Sequence, residues 1–201
     1  MIMKRILVLA VALTWAATAL AQAASQDVAR RAVLYEEGVG PGDKAEGQVT
    51  WRTERTTDPM APRGDITIRG DIVIPSRGAR MTVSFRRNFD PALSASHTVQ
   101  VDFTPPLDFA GGSIKQVMGL MLKTSEQAKG VPVDALSVKI DDTHFLIGMS
   151  GVAQNASVNR RLIRSSDWID IPLFYGTQRR AILAIAKDGD AGAMFNTVFA
   201  D

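Results

Sequence analysis

Apolar and polar side chains alternate in steps of two through most of the chain beyond residue 24, the mark of strands with one buried face. In EGQVTWRTER, Val49, Trp51 and Thr53 alternate with Gln48, Thr50 and Arg52. Ile66, Ile68, Ile72 and Ile74 share one parity in RGDITIRGDIVI, as do Met81, Val83 and Phe85 in ARMTVSFRRN and Val99, Val101 and Phe103 in SHTVQVDFTPP. Gly, Pro, Asn or Asp bounds each run, as strand ends require. Further on, LSVKIDDTHFLIGMS predicts two strands joined at Asp141-Asp142, and WIDIPLFYGTQRRAILAIAK two more joined at Gly176. The run AILAIA has lost its polar alternation, which predicts a central strand covered on both faces. Eight or so strands in antiparallel neighbours predict a mostly β fold, an antiparallel sandwich-like or barrel domain.

One to three short helices complete the expectation. In SIKQVMGLMLKTSEQAKG, Ile114, Val117, Met118, Met121 and Leu122 fall at helical spacing, with Ser113 and Gln116 spaced as a capping box and Gly130 as the stop. A short strand over Val117–Lys123 is the alternative, favoured by Gly119 in the middle of the run. NASVNRRLIRS predicts a second helix. DAGAMFNTVFAD predicts a third, with Asp190 as cap and Ala191, Met194, Phe195, Val198 and Phe199 on one face, covering an end or edge of the sheet.

The chain opens with MIMKRILVLAVALTWAATALAQAAS, in which Lys4 and Arg5 precede an apolar run and Ala21-Gln22-Ala23 supplies an A-x-A site. Residues 1–23 therefore read as a secretory signal peptide and 24–201 as a single exported domain, periplasmic or secreted after cleavage. The run from Ile6 to Leu20 is shorter than the roughly 20 apolar residues of a spanning helix, so the mature chain is expected to carry no transmembrane segment. The leader takes two basic and no acidic residues with it, which leaves 21 basic against 21 acidic side chains. That balance argues against a nucleic-acid partner, which would need a clustered basic excess. Cysteine is absent, so the core alone must hold the domain.

Several motifs offer chemistry. Arg-Gly-Asp occurs twice, at Arg63-Gly64-Asp65 and Arg69-Gly70-Asp71. The second copy falls inside an alternating strand, where Gly70 reads as a bulge or a point of close packing and not as an adhesive loop. Asp90, Ser94, Ser96 and His97 in NFDPALSASHTV are the parts of a hydrolytic triad, with His97 and Ser94 the pair able to approach, although no G-x-S-x-G elbow surrounds either serine. The structural alternative pairs the strand around Met81–Arg87 with that around His97–Phe103, so that Val83 faces Val101, Phe85 faces Val99 and Arg87 faces His97 at the rim of the apolar face. Asp90 is then a turn residue.

His144 with Asp141 and Asp142 is a candidate divalent-ion site, and Met118 and Met121 with Met149 a candidate soft-metal site. Their structural counterparts are a two-carboxylate turn and core methionines. Arg160, Arg161 and Arg164 form an anion-binding patch with Arg179 and Arg180 if the helix carrying the first three packs near the Gly176 hairpin. No phosphate-binding loop is present and no cofactor is expected.

Taken as an ordered set, RRAVLYEE, VTWRTER, MTVSFRRN, ASHTV, FLIGMS, WIDIPL and RRAILAIAK resemble a family of uncharacterised alphaproteobacterial cell-envelope proteins, over most of the chain beyond the leader. The exported β-rich layout with a closing helix is also similar to the invasion-associated locus B proteins, which usually carry cysteines where this chain has none. The resemblance implies residence in the envelope, no assigned activity, and no catalytic residues to carry over. The expectation is an exported non-catalytic binding or envelope-associated module, with an envelope protein, lipid or glycan as partner and Arg87 and His97, then the arginines from 160 to 180, as its surface. A periplasmic hydrolase using His97 with Ser94 and a metal carrier using His144 are the alternatives.

Overall fold

The structure, a computed structural model, describes residues 27–38 and 44–200. Residues 1–23, the segment expected to be a signal peptide, lie outside them. Twelve strands are present among the described residues: β1 (Val28–Glu36), β2 (Lys44–Arg55), β3 (Ile66–Ile74), β4 (Ala79–Arg87), β5 (Ala95–Thr104), β6 (Ile114–Val117), β7 (Met121–Lys123), β8 (Val131–Pro132), β9 (Ala135–Lys139), β10 (His144–Ser150), β11 (Trp168–Tyr175) and β12 (Arg180–Ala186). Two helices join them, α1 (Ala153–Ser165) and α2 (Asp190–Val198). No helix among the described residues is long and apolar enough to cross a membrane.

All strands belong to one antiparallel sheet, in the order β8-β7-β11-β12-β1-β2-β3-β4-β5-β10-β9, with β6 pairing β11 off that path. The sheet curls. Leu34, Ile72, Met81, Phe103, Tyr175 and Leu183, from six different strands, surround one space. Where the two ends of the sheet approach each other, Ser137 Oγ on β9 donates to the Val117 carbonyl on β6 at 2.6 Å. The alternating residues thus share one core, as the period-2 pattern requires of a sandwich or barrel.

The predicted register is the one found: Val83 faces Val101, Phe85 faces Val99 and Arg87 faces His97. β12 lies between β11 and β1, and Leu183 to Ala186 are all buried, whereas Ile182 in the same apolar run is exposed, so the strand is covered on both faces only over its second half. Gly70 is a packing point and not a bulge, since the β2 and β3 pairing passes through Trp51 opposite Gly70 without a shift. A Cβ there would stand 2.6 Å from the Trp51 ring. The helices predicted over NASVNRRLIRS and at the C-terminal end are α1 and α2, although Gly189, not Asp190, occupies the cap.

The helix predicted over Ser113–Gly130 is absent, and the short-strand alternative comes closer. The segment forms β6 and β7, both paired to β11. Gly119 sits at φ +121 between them, a backbone state that ends regular structure and favours glycine. Pro172 on β11, which has no N–H to offer a neighbouring strand, lies opposite that break and accepts from the Met118 N–H at 2.9 Å. Pairing to a central strand outweighs the helical spacing, and Met118, which that spacing places on the buried face, is exposed.

The barrel-like sheet has two unlike ends. At one, Ile74 pairs with Ala79 across a tight turn, Glu36 with Ala181, and the Gly176 hairpin joins β11 to β12. At the other, Arg87 faces His97, Ala95 faces Ser150 and Trp168 faces Ala186. Both helices follow from that second end, where α2 packs on β2, β3 and β4 and touches α1.

Candidate functional site

Of the residues that carry the triad reading, only His97 takes part in closing the helical end, together with Arg87. The last carbonyls of a helix lack intrahelical partners. Arg87 Nη2 donates to the Thr197 carbonyl of α2 at 2.9 Å, and His97 Nε2 lies 3.3 Å from the Val198 carbonyl. A carbonyl can only accept, so Nε2 carries the proton and Nδ1, 3.3 Å from Ser96 Oγ, accepts from that hydroxyl. The imidazole stacks on Phe199, with 4.3 Å between ring centroids. Burial, assisted by the nearby Arg87 and Arg160 charges, pushes its pKa down to about 4, so the ring is neutral at pH 7.

His97 is thus a buried core group and not a rim group. Ser94 is exposed in the loop, its carbonyl accepting from the Gly151 N–H. Asp90 accepts from the Ala92 N–H at 2.8 Å, the turn role predicted for it, and Asn88, which the sequence reading passed over, ties the loop by donating to the carbonyls of Asp90, Leu93 and Ala95.

The two Arg-Gly-Asp copies are likewise engaged. Arg69 Nε donates to Asp71 at 3.1 Å, and Asp71 also accepts from Thr82 and Arg52 on the outer face of the sheet. The Asp65 side chain of the first copy is nearly buried beneath Arg87, 2.6 Å from Nη1. Arg87 therefore bridges the loop before β3 to the end of α2.

The remaining candidates disperse. Arg160, Arg161 and Arg164 lie on α1 at the helical end, and Arg179 and Arg180 at the start of β12 at the opposite end, so the two groups do not converge. Asp141 organises its turn by accepting from the Thr143 and His144 N–H groups, and stands 2.9 Å from His144 Nδ1, which raises the imidazole pKa. Asp142 pairs with Lys139 at 2.8 Å. Among the described residues no group of three or more His, Cys, Asp or Glu side chains is placed to hold a metal ion. Met149 is fully buried in the core, whereas Met118 is exposed.

Two features that the sequence reading missed present unsatisfied surface. The first is the outer face of β9 and the residue that follows it, where Leu136, Val138 and Ile140 are 80%, 55% and 62% exposed. Ser137, between them, faces inward opposite Ile147 on β10. The signal was present in ALSVKID as an alternation whose apolar parity is also the solvent parity.

The second is a cleft of about 460 Å³ at the end opposite the helices, lined by Glu36, Arg77, Asp108, Phe109, Ala110 and Arg179 among others. Glu36 is buried and matched by Arg77 Nε at 2.6 Å and by the Tyr175 hydroxyl, which donates at 3.1 Å. Its signal was PPLDFAGG, an aromatic bracketed by turn residues. Of this group only Arg179 was singled out from sequence.

Compared with known proteins, the chain matches no family model, no curated protein and no solved structure.

Proposed function

We propose that the chain is an exported, non-catalytic binding module of the cell envelope whose principal surface is the outer face of β9, taking a protein partner. The observation that carries this is the row Leu136, Val138 and Ile140, three large apolar side chains held in water along the last strand of the sheet and the residue that follows it. Such a face leaves its apolar area in water until a partner covers it, and contiguous exposed apolar surface of this kind marks interaction sites. The leader-like N-terminal sequence and the resemblance to envelope proteins support the compartment. The burial of His97 against α2, the turn role of His144 beside Asp141 and the separation of the two arginine groups support binding over catalysis.

The test is a pull-down from envelope extract with residues 24–201, run beside a Leu136→Ser/Val138→Ser variant whose folding is checked by circular dichroism. Recovery of one protein by the wild type and its loss with the folded variant supports the proposal. Equal recovery by both, or none by either, overturns it.

A further inference from the structure

A carboxylate buried in a sheet is costly unless it is paired. Glu36, the last residue of β1, has a side chain only 3% exposed and shares the parity of the core residues Ala32 and Leu34. One of its oxygens accepts from Arg77 Nε at 2.6 Å and the other from the Tyr175 hydroxyl at 3.1 Å. The buried acid therefore fixes the plane of the Arg77 guanidinium. Because that bond uses Nε, the two terminal nitrogens of Arg77 have no protein partner among the described residues. Arg77 lines the cleft at this end of the sheet, whose volume of about 460 Å³ lies within the range of small-molecule sites.

A second guanidinium enters the same cleft from the β11–β12 hairpin. Arg179 Nη2 donates to the Ala110 carbonyl at 2.8 Å and Nε to the Thr177 hydroxyl at 3.5 Å, both uncharged oxygens. Among the described residues no carboxylate pairs with it, and its Nη1 has no protein partner. The residue before it, Gln178, has φ +69 and is the one described non-glycine residue with a positive φ. Backbone states of that kind are costly and gather at ligand clamps. Burial pushes the Tyr175 hydroxyl pKa up, and Arg77 and Arg179 both oppose that rise, so the two cations lie around one point.

The rest of the lining limits what those cations can hold. Glu36 and Asp108 balance Arg77 and Arg179 in formal charge, so a monoanion suits the cleft better than a dianion such as a phosphate monoester. Ser76 and Asp108 are exposed in the lining, and neither side chain has a protein hydrogen-bond partner among the described residues. The floor is closed. Phe109 packs edge-on against Phe103 and Tyr175, at 5.1 and 5.2 Å between ring centroids. A ligand here stays in the cleft as it stands and meets polar groups on most sides, which excludes a long apolar chain.

We infer that the cleft binds a small hydroxylated carboxylate of the size of a hexuronic acid, its carboxylate held between Arg77 and Arg179 and its hydroxyl groups met by Ser76 and Asp108. The guanidinium fork matches a carboxylate in geometry as well as charge. Asp108 can only accept and Ser76 can both donate and accept, which suits hydroxyl groups. A free sugar acid and the end of an acidic glycan present this same chemistry. The site involves no residue of the β9 face, and its test uses purified protein and a defined ligand, so either reading can fail without the other.

The experiment is an amide NMR titration of residues 24–201 with galacturonate, with galactose as the uncharged counterpart and acetate as the bare carboxylate. Saturable shifts at the amides of Arg77, Gly78, Ala110 and Arg179 are expected with galacturonate, and affinity about tenfold weaker for galactose and for acetate. Arg179→Gln, which removes a cation that pairs with no acid, should also weaken galacturonate about tenfold; the comparison of ligands on the wild type needs no variant to fold. Trigalacturonate distinguishes the sources: tighter binding than the monomer assigns the site to a glycan, equal or weaker binding to a free sugar acid. Absence of saturable galacturonate binding overturns the inference. So does affinity for galactose or acetate equal to that for galacturonate, saturation at amides away from the cleft, or indifference to Arg179→Gln.

Discussion

Gly70→Ala isolates one contact. Gly70 lies in the middle of β3 with its Cα over the Trp51 ring, and a Cβ there would meet two ring carbons at 2.6 and 2.8 Å. The indole cannot yield cheaply. Its Nε1 donates to the Ala186 carbonyl at 2.8 Å, and its faces are held by Phe195 at 5.2 Å and Phe85 at 6.1 Å between ring centroids. Overpacking of this kind costs roughly 1–3 kcal/mol. The backbone at Gly70 is not in the left-handed region, so alanine is conformationally acceptable and narrows the unfolded ensemble, a gain of about 0.4–1 kcal/mol. The expected net loss is about 1–2 kcal/mol. For a domain of this size each kcal/mol moves Tm by about 2–4 °C, so a fall of about 2–8 °C is expected in a thermal melt followed by circular dichroism. In a Trp51→Leu background the same substitution should cost little, because the ring it strikes is gone. A Gly70→Ala protein as stable as the wild type, or an equal cost in both backgrounds, would refute the packing argument.

Two further predictions concern buried bases. Lys187 is buried, with its ammonium 4.9 Å from the Phe195 ring centroid and donating to the Ser166 carbonyl; burial pushes its pKa down to about 8. Below about pH 8 it is charged in both states and the fold carries the whole desolvation penalty. As pH rises toward about 10.5 the folded state loses the proton first, and stability should rise by up to about 3 kcal/mol at 1.4 kcal/mol per unit. Lys187→Met should abolish that rise in urea titrations, and parallel pH profiles for the two proteins would exclude it. His97, held near pKa 4, behaves as the mirror case at acid pH. It is neutral in both states above about pH 6.5, and between there and about pH 4 the unfolded chain protonates first, so up to about 3 kcal/mol is lost. His97→Phe keeps a ring against Phe199 and should remove that acid-dependent part; an unchanged acid profile would count against the buried neutral imidazole.

Much of the sheet was legible because period-2 patterning fixes which face each residue takes. The β4 and β5 register followed from Met81, Val83 and Phe85 meeting Val99, Val101 and Phe103, for a one-residue slip would have turned every one of them to solvent. The placement of Arg87 against His97 came with it. What that placement does was not legible, because its partners come from distant parts of the chain: Asp65 from the loop before β3, and Thr197, Val198 and Phe199 from the end of α2. The segment from Ile114 to Lys123 reads first as a helix, with a short strand over Val117–Lys123 as the alternative, because its apolar spacing suits a helix, and what opposes it, pairing to β11 beside Pro172, is a long-range contact. β1 was not singled out as a strand, although Val33 and the residues around it run through the middle of the sheet.

The candidate sites divide on the same physical line. A polar group inside a low-dielectric core must be satisfied, so the polar residues that cluster most suggestively in this sequence are those the fold has already consumed. Arg87 and His97 complete the carbonyl ladder of α2, Asp65 neutralises Arg87, and Asp71 links three strands on the outer face. Binding capacity remains where apolar groups are left in water. The strand β9 and the residue that follows it meet that condition through Leu136, Val138 and Ile140. They carry no catalytic motif, and for that reason a search of the sequence for chemistry leads away from them.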